Sequence, residues 1–258
     1  MNLTKENYFT SCNRYLTNSK INDWLKCKNY FYRKHIACEL VQPKTKAMLI
    51  GSLVDDLLTN INEAMAGKIV SGDRRLKEFK QLEAQGVTVI SVSDYDMIMG
   101  LATSVDETSA YKELRDHTTQ TIVGYDEPIG EHFVGLAGIP DWFKVDGHSC
   151  IITDLKTANT IDPRKYFFHC QEFGYFRQQA VYQMILKKLY PEIRDFVSRH
   201  IVVEKEKDIN LVRTFIIPQD IIEEEKINIQ DYISEISLEK EFKKEDADWD
   251  NAVTLGEF

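Results

Sequence analysis

The chain has 258 residues, 43% of them hydrophobic and 28% charged, which fits one large or two small ordinary globular domains. It has neither an apolar run of about 18 residues nor an N-terminal signal-peptide pattern, so we expect a cytoplasmic protein with no membrane span. The five cysteines are widely spaced and include no Cys-x-x-Cys pair, which argues against zinc, an iron–sulfur cluster or a disulfide framework.

The formal net charge of −9 is unevenly distributed. Residues 1–48 carry 9 Lys and Arg against 3 acids, whereas residues 219–258 carry 13 acids against 4 lysines. A basic N-terminal segment and an acidic tail are compatible with a protein that binds phosphates locally. Both segments are equally compatible with ordinary solvated faces.

Helical periodicity dominates residues 1–118. The predicted helices run from Ser19 to about Ile36, from about Thr45 to Asn62, from Asp73 to Gly86, and onward from a capping box of Ser93 and Asp96. From residue 119 the pattern changes to strands, predicted at Thr121–Tyr125, Phe133–Val145, Ile151–Thr157, Val197–Glu204 and Leu211–Ile217. Two further helices are predicted at Gln171–Leu189 and from Gln219 to about Lys244.

This order of elements predicts an α/β or α+β fold, with a mixed central β-sheet flanked by helices. We expect a single domain over residues 1–258. Its parts are a mainly helical N-terminal part (1–118), a catalytic sheet and helix (119–218), and an acidic C-terminal helix and tail (219–258).

The functional prediction depends on a hairpin with its turn at Asp146-Gly147. This turn places Asp141 roughly opposite Asp154, with about 5 Å between their Cβ atoms, and Lys156 shares a strand face with Asp154. Two carboxylates so close repel unless a cation lies between them, and oxygen ligands suit Mg²⁺ or Mn²⁺. A neighbouring lysine can orient the attacking water and stabilise developing charge. In isolation, such residues are more often a turn and a surface ion pair.

Pro140-Asp141 followed by Asp154-Leu155-Lys156 resembles the PD-(D/E)XK nuclease signature, and Gln178-x-x-x-Tyr182 resembles the extra motif of its RecB-like branch. The stretch from Tyr175 to Tyr182 is most similar to exonuclease VIII and lambda-type phage recombination exonucleases. The resemblance implies a restriction-endonuclease-like core that holds Mg²⁺, with Mn²⁺ as a substitute. The implied metal ligands are Asp141, Asp154 and the Leu155 carbonyl, and the implied catalytic set is Asp141, Asp154, Lys156, Gln178 and Tyr182.

The same resemblance implies digestion of linear double-stranded DNA in recombination or repair, inside a bacterial or phage-infected cell. It also implies a ring-shaped homo-oligomer and a single-strand annealing protein as partner. Two alternatives stay open: an endonuclease with the same site, and an inactive nuclease-fold protein that binds DNA or supports assembly.

One motif departs from the family pattern. RecB-like nucleases of this branch carry Gly-x-x-x-His with a metal-binding histidine, whereas this chain has Gly51 and Asp55. Carboxylate oxygen is a good ligand for a hard metal ion, so the resemblance makes Asp55 the expected further ligand. Helical periodicity by itself does not choose between Asp55 and Asp56.

Other candidates are weaker. The possible phosphate contacts are Arg164, Lys165 and Arg177. Glu127 is a possible extra acid, and Gln179 is the alternative to Gln178.

Overall fold

The computed structural model describes residues 4, 8–9, 13–40, 45–59, 69–72, 76–205 and 210–239. The strands are β1 (Tyr15–Leu16), β2 (Ile69–Ser71), β3 (Thr88–Ile90), β4 (Thr118–Thr119), β5 (Val123–Ile129), β6 (Phe133–Gly138), β7 (Trp142–Asp146), β8 (Ser149–Ala158), β9 (Asp195–Glu204) and β10 (Val212–Ile217). The helices are α1 (Asn18–Lys26), α2 (Lys28–Phe31), α3 (Lys46–Thr59), α4 (Lys77–Ala84), α5 (Val92–Asp106), α6 (Ser109–Lys112), α7 (Pro163–Glu172), α8 (Tyr175–Leu189) and α9 (Gln219–Leu238). A π-helical turn, Tyr32–Ile36, follows α2, and a 3-10 turn, Glu113–Asp116, follows α6. The predicted mixed α/β class is confirmed.

The larger sheet has the strand order β10-β9-β8-β7-β4. β8 and β9 are parallel along their whole length, and the other neighbouring pairs are antiparallel. Parallel neighbours need a long crossover connection, which α7 and α8 provide. Helices therefore cover both faces of the sheet centre, which explains why the consecutive residues Ile201, Val202 and Val203 are all buried. Among the described residues, no helix is both long and apolar enough to cross a membrane.

The predicted single strand Phe133–Val145 is wrong, because it forms two strands in different sheets. β6 belongs to a three-stranded sheet of order β1-β6-β5, whereas β7 belongs to the larger sheet. The break falls at Pro140, which has no N–H to donate to a ladder. Just before it, Gly138 packs so closely against Tyr182 that an added Cβ would lie 2.6 Å from the ring. The change of sheet leaves Asp141 at the start of β7, with its carboxylate turned toward β8.

The predicted continuous helix Gln171–Leu189 is also wrong. The chain forms α7 and α8 instead, with a break at Gly174. Gly174 has a φ of 65°, a left-handed conformation that other residues rarely adopt. The sequence analysis missed most of α7, although Asp162 caps it and Pro163 occupies its first turn, a common helix start.

Other predicted boundaries shift by a few residues. Thr17 rather than Ser19 caps α1, and the predicted helix 19–36 is interrupted at Cys27, whose backbone is extended. Ser91 rather than Ser93 caps α5. Serine and threonine are both favoured caps, so residue type alone does not choose between neighbouring candidates. The predicted boundaries outside the described residues are Asn62, Asp73 and Lys244.

Two apolar clusters on opposite faces of the larger sheet determine where the polar residues of β8 lie. On one face, Cys150 and Ile152 pack with α8 and α9. On the other face, Leu155 packs with α3 and α5. Because side chains alternate along a strand, Asp154 lies on the α8 face, whereas α3, which carries Asp55, packs on the opposite face.

Candidate active site

The β7–β8 hairpin brings Asp141 close to Asp154. The last pair of its ladder is Trp142 with Thr153, so Asp141 precedes this pair and Asp154 follows it. The Leu155 N–H donates a hydrogen bond of 2.7 Å to Asp141 Oδ2. Because the N–H and C=O of a strand residue point to the same side, we expect the Leu155 carbonyl to face the same space as the Asp141 carboxylate.

Lys156 is the cation of the site. Its Nζ forms an ion pair with Asp154 Oδ2, donates a hydrogen bond of 3.0 Å to Gln178 Oε1, and lies 4.5 Å from the centroid of the Tyr175 ring. Only 1% of Asp154 is exposed to solvent. In such an environment a charge needs a close partner, so the two side chains fix each other's positions.

The helix α8 carries the next two members of the predicted set. Gln178 Nε2 donates a hydrogen bond of 2.9 Å to the Tyr182 hydroxyl, which donates in turn to the Ile139 carbonyl at 2.9 Å. Ile139 lies in the short segment between β6 and β7, two residues before Asp141. Gln178 therefore positions the Lys156 ammonium, and Tyr182 holds the segment that presents Asp141.

Asp55 approaches from α3. Its Oδ2 accepts a hydrogen bond of 2.5 Å from Gln120 Nε2, and the Gln120 N–H donates to the Asp141 carbonyl at 3.0 Å. The charges of Asp154 and Lys156 both act on the pKa of Asp55, which places its carboxyl within electrostatic reach of the hairpin.

Burial and repulsion by neighbouring carboxylates raise the pKa values of Asp141 and Asp55. Burial, and then the charges of Asp154 and Asp55, raise the pKa of Asp141 well above its usual range. Burial, and then the charges of Asp154 and Asp56, raise the pKa of Asp55 to about 7. Burial also opposes the charge of Lys156, but the neighbouring carboxylates Asp154 and Asp141 raise its pKa overall, so the ammonium stays protonated at neutral pH.

The donor atoms of the site are oxygens, which is the type of ligand that a hard metal ion prefers. Asp55 Oδ1 is buried and has no hydrogen-bond partner among the described residues. Three carboxylates that repel one another, together with a backbone carbonyl, form an oxygen donor set of the type that Mg²⁺ and Mn²⁺ prefer. In the ranges that the structure describes, however, no three acidic, His or Cys side chains are close enough to hold one ion as they stand. Convergence of these carboxylates on one ion therefore requires side-chain movement from the positions described.

The sequence analysis missed two residues beside this cluster. Gln120 links Asp55 to the Asp141 backbone and has a φ of 37°, an unusual value for a residue other than glycine. His200 pairs with Asp154 in the β8–β9 register, and its Nδ1 lies 2.9 Å from the Tyr166 hydroxyl. Burial lowers the pKa of His200 to about 3, so its imidazole is neutral. The sequence could have indicated His200, because it is a single histidine within an apolar strand. No sequence pattern indicates Gln120.

Most of the weaker candidates lie outside the cluster. Glu127 forms an exposed ion pair of 3.0 Å with Lys188. Arg177 donates a hydrogen bond of 2.5 Å to an asparagine side chain of α1. Gln179, the alternative to Gln178, is fully buried and makes no hydrogen bond to Lys156 in the described structure.

The mixed sheet places Pro140-Asp141 beside Asp154-Leu155-Lys156, the pair of motifs on which the resemblance to PD-(D/E)XK proteins depends. The chain belongs to the family described as PDDEXK-like domain of unknown function (DUF3799), which matches residues 17–247. The expected restriction-endonuclease-like core is thus confirmed as a PDDEXK-like fold.

A solved structure agrees with this fold. The chain is similar to the crystal structure entitled "Putative exonuclease" from Eubacterium rectale, with a TM-score of 0.66 and 16% sequence identity over 93% of this chain and 89% of that chain. At this identity the similarity shows the fold alone. A second solved structure, SSO0001, has a TM-score of 0.31 and 14% identity over 72% of this chain and 89% of that chain, too dissimilar for any argument. No curated protein matches the chain.

Proposed function

We propose that this protein is a metal-dependent DNA nuclease that hydrolyses phosphodiester bonds at the ends of linear double-stranded DNA. One observation carries the proposal: the continuous chain of contacts from Asp154 through Lys156, Gln178 and Tyr182 to the segment that presents Asp141. A structural ion pair would not need the support of two further side chains, Gln178 and Tyr182. The PDDEXK-like fold supports the same reading.

In this proposal Asp141, Asp154, Asp55 and the Leu155 carbonyl hold Mg²⁺, which nucleases of this type usually use, with Mn²⁺ as a substitute. The bound ion would lower the pKa of a coordinated water molecule and so supply a nucleophile near neutral pH. Lys156 is protonated, so it cannot take the proton of the attacking water. It instead donates hydrogen bonds to phosphoryl oxygens as negative charge develops on them, while Gln178 keeps its ammonium in place.

We further propose the finer assignments that the sequence resemblance implies. The protein would belong with the exonuclease VIII and lambda-type enzymes of recombination or repair, in the cytoplasm of a bacterial or phage-infected cell. It would act as a ring-shaped homo-oligomer with a single-strand annealing protein as partner. Light scattering that shows a strict monomer at micromolar concentration, together with fully processive digestion, would contradict the ring.

The decisive experiment incubates the protein with end-labelled linear DNA and with covalently closed circular DNA, each with Mg²⁺ or with EDTA. Degradation of the linear form alone, only with Mg²⁺, supports the exonuclease. Degradation of both forms assigns an endonuclease with the same site. DNA binding without cleavage by the parent protein assigns an inactive nuclease-fold protein. Asp154→Asn removes the central carboxylate, and Asp146→Asn, at the exposed end of the same hairpin, is the matched control.

A further inference from the structure

An exposed aromatic ring, Phe173, lies beside the candidate active site, just after the end of α7. Three phenylalanines on or just after α7 are exposed to solvent: Phe167 by 40%, Phe168 by 58% and Phe173 by 46%. Asp162 caps α7 by accepting a hydrogen bond from the Lys165 N–H, so Phe167 and Phe168 lie on a regular helix. The exposed ring of Phe173 borders the same cavity as Lys156, so it is available to a molecule that enters this cavity.

Phe173 belongs to a cluster of three rings that contact one another, which we name the aromatic track: His169, Phe173 and Tyr175. The ring centroids of His169 and Phe173 are 4.5 Å apart, those of Phe173 and Tyr175 are 5.9 Å apart, and those of His169 and Tyr175 are 5.6 Å apart. Lys156 Nζ lies 4.5 Å from the Tyr175 centroid. The aromatic track therefore runs from solvent at Phe173 to the ammonium of the candidate active site.

The track also borders a cavity that reaches the same ammonium. The cavity has a volume of about 240 Å³ and is lined by Phe173, Tyr175, Lys156, Gln178 and, from the start of α1, Asn18. Cavities for small ligands usually measure about 300 to 1,000 Å³. A space slightly below this range can receive one base or sugar of a single strand but not a base pair.

The helix that carries His169 has no excess of positive charge. Among the exposed charged residues of α7 and its cap, Arg164 and Lys165 are balanced by Asp162 and Glu172. A phosphate-binding surface would carry an excess of positive charge. Aromatic rings instead bind the flat faces of bases, and such stacking tolerates any sequence.

We propose that the aromatic track binds the unpaired bases of a single DNA strand and leads that strand to Lys156. The direction of the strand, toward the site of cleavage, rests on the proposed nuclease function; the stacking itself does not. The form of DNA that enters the site is therefore a frayed or single-stranded end, because a paired base presents only its edge to the track.

Single-stranded oligonucleotides that carry 2-aminopurine at the 5′ or the 3′ end test this proposal. With EDTA present, binding is measured without cleavage, and stacking on an aromatic ring quenches 2-aminopurine fluorescence. We expect the parent protein to quench one of the two probes. Phe173→Ala should abolish most of the quenching and weaken binding by about tenfold, since base–aromatic stacking is lost. Phe173→Trp should restore both.

Phe168→Ala is the matched control, because Phe168 lies on α7, is more exposed than Phe173 and, among the described ring pairs, contacts Phe167 and no ring of the track. It should bind like the parent. The dependence of binding on salt should be the same in parent and Phe173→Ala, because no phosphate contact is removed. Equal binding by Phe173→Ala and the parent would overturn the proposal, as would self-association that Phe173→Ala abolishes in a protein that does not bind the oligonucleotides.

The two proposals fail separately. If the parent digests linear DNA but Phe173→Ala binds both probes like the parent, the track proposal is wrong and the nuclease proposal stands. If quenching occurs and is lost in Phe173→Ala, but the parent does not cleave DNA with Mg²⁺, the track proposal stands and the nuclease proposal is wrong.

Discussion

The perturbed carboxyl of Asp55 makes the stability of the metal-free protein depend on pH. Its pKa is raised from the ordinary value of 3.8 to about 7, so over this interval the folded protein binds a proton that the unfolded chain has released. The stabilising contribution of the protonated carboxyl is therefore full below pH 3.8 and is lost as the pH rises through about 7. A rise of about 3 in pKa corresponds to about 4 kcal/mol of unfolding free energy, at about 1.4 kcal/mol for each unit. About 3 kcal/mol of this contribution to the unfolding free energy is lost as the pH rises above about 5.

Asp55→Asn removes this titration and keeps an oxygen that accepts the hydrogen bond from Gln120. Urea denaturation followed by tryptophan fluorescence in EDTA measures the unfolding free energy at each pH. Between about pH 5 and pH 8, we expect the parent to lose about 3 kcal/mol more than Asp55→Asn does. Asp56→Asn is the matched control and should resemble the parent, because the Asp56 charge raises the pKa of Asp55 less than burial and Asp154 do. The same pH dependence in the parent and in Asp55→Asn would refute the placement of Asp55 beside the hairpin.

Three further predictions concern the proposed metal and its support. Asp154→Asn or Lys156→Ala should each reduce DNA cleavage by about a hundredfold or more while circular dichroism stays unchanged, and parent-like cleavage at saturating Mg²⁺ would contradict the assignment. Asp55→His should keep partial activity and shift the ratio of rates from Mg²⁺ toward Mn²⁺, because imidazole is a softer ligand; an unchanged ratio argues that Asp55 is not a ligand. Gln120→Gly keeps the left-handed backbone but removes the amide, and calorimetry should show Mg²⁺ affinity reduced by about tenfold; parent-like affinity would show that Gln120 does not position Asp55.

The sequence by itself determined those parts of the site that depend on local geometry. The Asp146-Gly147 turn fixes the register of the hairpin, and a fixed register places Asp141 near Asp154. The spacing of four residues puts Gln178 and Tyr182 on one face of a helix, wherever that helix begins. Both spatial relations, Asp141 near Asp154 and Gln178 beside Tyr182, were predicted correctly despite the errors in element boundaries. Each depends only on a short stretch of regular backbone.

Only the tertiary structure decided how the separate elements meet. The hydrophobic pattern continues through Pro140 and through Gly174, but Pro140 ends one strand and the left-handed backbone at Gly174 ends one helix. Where the divided segments then lie depends on tertiary contacts such as the packing of Tyr182 against Gly138. Gln120 and Asp55 are 65 positions apart, and no periodicity relates them. Their contact depends on the packing of α3 against the larger sheet, whose edge strand β4 ends just before Gln120. Periodicity reports which face of an element is buried, whereas the identity of the side chain across that face depends on the packing of the whole chain.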